Sequence, residues 1–117
     1  MSDTKNILIT GGVGFIGSNL AERLINDGHN VICIDDYSFG KKDNEIDNVK
    51  YINDDIEKIS LIEDEIDICY HLAAKARVQP SFEDPVDYFR VNVKGTMKVM
   101  EWAKKRNVKV VYAGSSS

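Results

Sequence analysis

The sequence is short of the residues that mark several whole classes of protein. Cysteine occurs twice, at Cys33 and Cys69, and both positions fall inside apolar runs. That excludes a disulfide-built scaffold and leaves no spacing suited to a metal or redox centre, so both read as reduced core residues. Proline also occurs only twice, at Pro80 and Pro85, and no low-complexity tract or linker is visible. Basic side chains are in the minority, 15 Lys and Arg against 19 Asp and Glu, for a net charge of -4. A nucleic-acid partner, which needs a basic footprint, is therefore not expected. The one basic run, Lys104-Lys105-Arg106, suits the end of a helix, where positive charge complements the helix dipole. No apolar run approaches the ~20 residues of a membrane span, and MSDTKNILIT lacks the layout of a secretory signal. These absences lead to the expectation of a cytoplasmic protein without a membrane partner. At 117 residues it is expected to fold as one domain, 1–117.

What is present is an alternation of apolar runs with helical periodicity. NILIT (Asn6 to Thr10) reads as a strand buried on both faces. Ile16, Leu20, Ala21, Leu24 and Ile25 recur at helical spacing between Phe15 and Asp27, and Gly28 ends that helix. NVICID (Asn30 to Asp35) is a second buried strand, followed by the polar loop DYSFGKKDNEIDN. VKYIN supplies a short third strand, EKISLIEDE a brief helix, and Ile66 to Leu72 a fourth strand. Asp84-Pro85 is a helix start, with a capping side chain before proline at the first helical position. Phe89, Val93, Met97, Met100 and Ala103 continue down one face to Arg106, so both methionines are expected in the core. VKVVYAG (Val108 to Gly114) is the fifth strand. The order predicts an α/β fold, a doubly wound parallel sheet with strand order 3-2-1-4-5. Ligands of such sheets gather at the carboxyl ends of the strands, where the order reverses between strands one and four.

Four glycines stand at that point: Gly11, Gly12, Gly14 and Gly17. Gly12, Gly14 and Gly17 fit G-x-G-x-x-G, while Gly11, Gly14 and Gly17 fit G-x-x-G-x-x-G. In either register the turn out of strand one is tight, a diphosphate can approach bare backbone, and the amides opening the helix face an anion. The glycines follow a strand, open a helix and precede a strand ending in an acid, which makes the pattern specific for a dinucleotide. A Walker-type phosphate loop is excluded, since no Gly-Lys-Ser/Thr follows. Asp35 ends strand two, where a carboxylate can accept from the adenosine ribose 2′-hydroxyl and repel a 2′-phosphate. That favours NAD over NADP, a preference tempered by Lys41 and Lys42. Asp36 reads equally as a turn residue. His71 lies within strand four and reads as a satisfied core histidine, and Arg77 as an exposed loop residue.

Taken together, TGGVGFIGSNLAERL, DDYS-FG, NDDI, YHLAA, EDP, VNVKGTMKVMEWAKK and VVYAGSSS resemble the extended short-chain dehydrogenase/reductase family. The nearest branch is that of the NAD-dependent nucleotide-sugar epimerases and dehydratases, typified by UDP-glucose 4-epimerase, and the likeness is to their amino-terminal part. The resemblance implies a Rossmann-type fold and a set of site residues. Gly11, Gly14, Phe15, Ile16 and Gly17 match the diphosphate turn, with Val13 in place of a commoner alanine. Asp35 matches the ribose-binding acid, and Asp36, Ser38 and Gly40 the adenosine-side loop. Asp55 and Ile56 match the pair flanking adenine. Leu72, Ala73 and Ala74 match the segment beneath the diphosphate and nicotinamide ribose, and Asn92 an asparagine bracing the active site. Ser115 or Ser116 matches the catalytic Ser/Thr that hydrogen-bonds the reacting sugar hydroxyl. Anchoring on Tyr112-Ala113 favours Ser115.

The family's chemistry moves a hydride from a sugar carbon of a nucleotide sugar, such as a UDP-sugar, to NAD. Its base is a tyrosine in a Tyr-x-x-x-Lys motif after strand five. Of the five tyrosines here only Tyr37 has a lysine four positions on, Lys41, and that pair belongs to the adenosine-side loop. The expectation is therefore a cofactor site with an unfinished catalytic site, truncated after strand five, whose tyrosine and lysine come from elsewhere. The alternatives are a non-catalytic NAD-binding module or sensor, and part of a reductase acting on a non-sugar carbonyl. The resemblance also implies a homodimer through the helix Asp84–Arg106 and the one after it.

Overall fold

Short runs dominated by isoleucine, valine and leucine leave neither face of a strand suited to water, and such strands pair in parallel beneath helices on both sides. A computed structural model describes residues 4–37, 42–72 and 94–112. In it five strands form one sheet in the order β3-β2-β1-β4-β5, with every neighbouring pair parallel. The strands are β1 (Asn6–Thr10), β2 (Asn30–Asp35), β3 (Lys50–Asn53), β4 (Ile68–His71) and β5 (Lys109–Tyr112). This is the Rossmann-type order anticipated from the alternation of elements, with the reversal between β1 and β4. Thr10 pairs with Ile34 on one side and His71 on the other, so three strands end together at one edge.

Helix α1 (Phe15–Asn26) covers one face. Its Ala21 and Leu24 pack with Ile7, Ile9, Val31 and Cys33. It stops at Gly28, whose φ of 91° suits glycine. The N–H groups of Gly28 and His29 close back on the carbonyls of Ile25 and Leu24, each at 3.0 Å, a Schellman ending.

The other face packs Leu8, Ile34 and Cys69 against a 3-10 segment, Ile56–Leu61, and helix α2, Gly95–Arg106. The segment expected as a brief helix is thus a 3-10 turn. Asp55 caps it by accepting the Glu57 N–H at 2.8 Å. Helix α2 buries a different face from the one its methionines suggest. Val99, Trp102 and Ala103 are in the core, while Met97 and Met100 are 65% and 44% exposed. The indole offers the larger apolar area, and the helix turns to place it against Ile59 and Ile62. Gly95 permits the approach, since a Cβ there would stand 2.9 Å from Ile56 Cγ2. Phe89, Val93 and the Asp84-Pro85 start lie outside the described residues. Arg106 ends the helix by donating to the carbonyls of Ile62, Glu63 and Asp64, a more specific task than complementing a dipole. Both cysteines are free and buried. No helix among the described residues is long and apolar enough to cross a membrane.

Candidate functional site

The chain leaves β1 through Gly11, whose φ is 81°, a backbone conformation that side chains resist. Its N–H reaches across to the Ile34 carbonyl at 2.9 Å, and its own carbonyl receives the Gly14 N–H at 3.3 Å. The turn is then roofed by α1. A Cβ on Gly17 would collide with the Gly11 carbonyl oxygen and lie 2.9 Å from Gly12 Cα, and a Cβ on Gly12 would lie 2.5 Å from Cys33 Cβ. Gly11, Gly12 and Gly17 are therefore required by the fold itself, so the glycine that distinguishes each register, Gly11 or Gly12, has a structural reason.

Gly14 is different. Its φ of -76° and ψ of 174° suit any residue, and among the described residues a Cβ there would meet nothing closer than 3.6 Å. The packing of the described residues does not ask for glycine at this position. Gly14 is also the residue preceding α1, with no side chain to cap it and no acid in the first turn. Among the described residues no group accepts from the first-turn N–H groups on Phe15, Ile16 and Gly17, which suits an outside acceptor. The Phe15 and Ile16 side chains flank this mouth, 81% and 68% exposed.

Asp35 stands beside the turn at the end of β2. Its Oδ2 accepts the Val13 N–H at 3.1 Å and its Oδ1 the Tyr37 N–H at 2.8 Å. Burial pushes this carboxyl above its ordinary range, the two N–H bonds pull it back, and Asp36 adds to the rise. The Asp35 carbonyl accepts the Asp54 N–H at 3.0 Å, which brings Asp55 and Ile56 to the same edge. The Ile56 side chain is taken up by the core.

On the other side of the turn, Leu72 follows β4. Its N–H meets the Thr10 carbonyl at 3.0 Å and Thr10 Oγ1 at 2.9 Å. Thr10 Oγ1 lies 2.7 Å from His71 Nδ1, and His71 Nε2 lies 2.9 Å from Thr96 Oγ1 on α2. His71 is 1% exposed, and burial pushes its pKa down to about 4. It is the satisfied core histidine expected, and a neutral one.

The structure thus gathers Gly11, Gly14, Phe15, Ile16, Gly17, Asp35, Asp36, Asp55, Ile56 and Leu72 along the carboxyl edge of the sheet. Ser38, Gly40, Ala73, Ala74, Asn92, Ser115 and Ser116 lie outside the described residues. Sequence reasoning passed over Asn44, which donates to the Val13 carbonyl at 2.9 Å, and the threonines on either side of His71. Asn44 sits in a polar loop among other polar residues, where no periodicity singles it out. A depression of about 350 Å³ lined by Asn6, Asn30 and Lys50 lies at the opposite, amino-terminal edge and has no part in this site.

The model of the NAD dependent epimerase/dehydratase family matches residues 7–117. A putative UDP-glucose 4-epimerase of Methanocaldococcus jannaschii is 36% identical over 93% of this chain and 37% of its own length. UDP-glucuronic acid decarboxylase 1 of Danio rerio is 35% identical over 97% of this chain and 28% of its own length. The crystal structure of the Bordetella bronchiseptica enzyme WbmF in complex with NAD+ superposes with a TM-score of 0.86 at 33% identity, covering 93% of this chain and 36% of that one. The chain spans about a third of the length of the relatives it matches.

Proposed function

Because the chain belongs to the NAD-dependent epimerase/dehydratase family, we propose that residues 1–117 form a single NAD-binding domain serving a nucleotide-sugar enzyme. The observation that carries this reading is Gly14, a glycine that neither its backbone angles nor the packing of the described residues requires. A ligand that must touch bare backbone at a helix start supplies the missing reason. The diphosphate of NAD would rest on the N–H groups of Phe15, Ile16 and Gly17. Asp35, already oriented by two N–H donors, would accept from the adenosine ribose, which favours NAD over NADP. Asp36, Ser38 and Gly40 would border the adenosine, Asp55 and Ile56 would flank the adenine, Leu72, Ala73 and Ala74 would pass beneath the diphosphate and nicotinamide ribose, and Asn92 would brace the active site.

Bound NAD would supply a hydride acceptor for a sugar carbon. Ser115 or Ser116 would hydrogen-bond the reacting hydroxyl of a UDP-sugar, in keeping with the UDP-sugars that relatives are named for. The proton-transferring tyrosine and its lysine would come from chain beyond these residues or from a partner, since the pair Tyr37 and Lys41 follows β2 in the sequence and not β5. The exposed Met97 and Met100 on α2 suit burial against a second copy, and a homodimer is part of the proposal.

A pair of glycine substitutions tests the reading. Gly14→Ala is expected to fold with a stability within about 1 kcal/mol of the parent, the weaker cap offset by a stiffer unfolded chain. It should bind NAD at least about tenfold more weakly, because its methyl stands in the path of the diphosphate. Gly17→Ala should instead lose about 1–3 kcal/mol of stability through overpacking. Calorimetric titration and thermal melts separate the two effects. Full NAD affinity in Gly14→Ala, or a parent protein that takes up no NAD, would end the proposal.

A further inference from the structure

Val13 is held at both of its peptide groups by side chains from outside the turn. Its N–H donates to Asp35 Oδ2 at 3.1 Å, and its carbonyl accepts from Asn44 Nδ2 at 2.9 Å. Those two groups belong to the peptide units before and after Val13, so both planes are fixed. The second of them carries the Gly14 N–H, which points back to the Gly11 carbonyl at 3.3 Å. Orientation of Gly14, and hence of the first amides of α1, depends on that plane.

The holding groups are themselves tied together. Asp35 Oδ1 accepts the Tyr37 N–H at 2.8 Å, the Tyr37 hydroxyl donates to Glu45, and Glu45 follows Asn44 in the chain. The path therefore closes on itself: Asp35, Val13, Asn44, Glu45, Tyr37 and back to Asp35. Tyr37 adopts a φ of 64°, costly for an aromatic residue, and both its N–H and its hydroxyl are used within this ring. The loop is further pinned by the Ile46 N–H on the Tyr51 hydroxyl at 2.7 Å.

We propose that Asn44 is a positioning residue for the diphosphate turn, acting with Asp35 to clamp the Val13 peptides so that the amides opening α1 stay aimed at the ligand. The inference rests on the reading of this edge as an NAD site. Asn44 touches the turn and not the cofactor. The adenosine-side loop and the diphosphate turn, separated by 31 positions, then act as one unit.

The test compares the parent chain with Asn44→Leu, close in shape but without a donor, and with Asn44→Asp, which turns a donor into an acceptor facing the same carbonyl. Calorimetry with NAD and ADP-ribose should show affinity reduced about tenfold, the scale of a lost hydrogen bond with its carbonyl left unmatched. Adenosine, followed by NMR chemical shift, should change by less than about twofold, since Asp35 keeps its Tyr37 bond. Equal losses for all three ligands would reduce Asn44 to a loop-folding residue and overturn the proposal, as would unchanged affinity for NAD. Amide hydrogen exchange without ligand reads the clamp independently. The Val13 and Gly14 amides should exchange about tenfold faster in both variants while those of α2 do not. Unchanged exchange refutes the clamp even in a protein that ignores NAD, whereas faster exchange there would leave the clamp standing and remove only the NAD reading.

Discussion

Among the described side chains, His71 should contribute most to the acid sensitivity of this fold. The imidazole is 1% exposed and has a threonine hydroxyl against each ring nitrogen, at 2.7 and 2.9 Å. Neutral imidazole offers one donor and one acceptor, and hydroxyls can serve either. The protonated ring has two donors and a charge that burial disfavours. Burial accordingly holds its pKa at about 4 against an ordinary 6.5. With the folded value below the unfolded one, the unfolded chain takes up the proton first as pH falls. The stabilising contribution is complete above pH 6.5 and is lost progressively down to about pH 4. At 1.36 kcal/mol per pH unit the loss amounts to about 3 kcal/mol, a large share of the 5–15 kcal/mol typical of a domain. Urea unfolding followed by the fluorescence of Trp102, the single tryptophan, measures it. The parent and His71→Asn are compared between pH 7 and pH 4, and the variant should show a shallower decline, whatever its stability at pH 7. Asp35 acts in the opposite direction, since burial raises its pKa and proton uptake there favours the folded state. It is common to both proteins and drops out of the comparison. Parallel declines would refute the reasoning, as would an NMR titration in which the His71 ring protonates near pH 6.5 in the native state.

Two further predictions concern side chains with more than one partner. Arg106→Ala should destabilise by about 2 kcal/mol in urea unfolding, because three carbonyls of residues 62–64 lose a charged donor. A change below about 0.5 kcal/mol would mean that water replaces the guanidinium without loss. Asp35→Ala should weaken NAD binding and narrow the preference for NAD over NADP, read by paired calorimetric titrations. An unchanged ratio would remove Asp35 from the ribose and leave it as a support for Val13 and Tyr37.

Strand and helix order, the turn at Gly11–Gly17 and the acid closing β2 were legible in the chain itself. Each is specified locally: by unbroken apolar runs, by 3.6-residue spacing, or by glycines between a strand and a helix. Even the sheet order followed, because parallel crossovers have one hand. The buried face of α2 was not legible. Spacing pointed to Met97 and Met100 with Ala103, and packing against the 3-10 segment selected Val99 and Trp102 with Ala103 instead. Nor were the partners of Val13, His71 and Arg106, which meet across 31, 61 and 44 positions. Hydrogen bonds of that reach leave no period in a sequence. They exist only once the strands have brought distant loops to a common edge, so the fold was written in the local pattern while the bracing of its site was decided by tertiary contact.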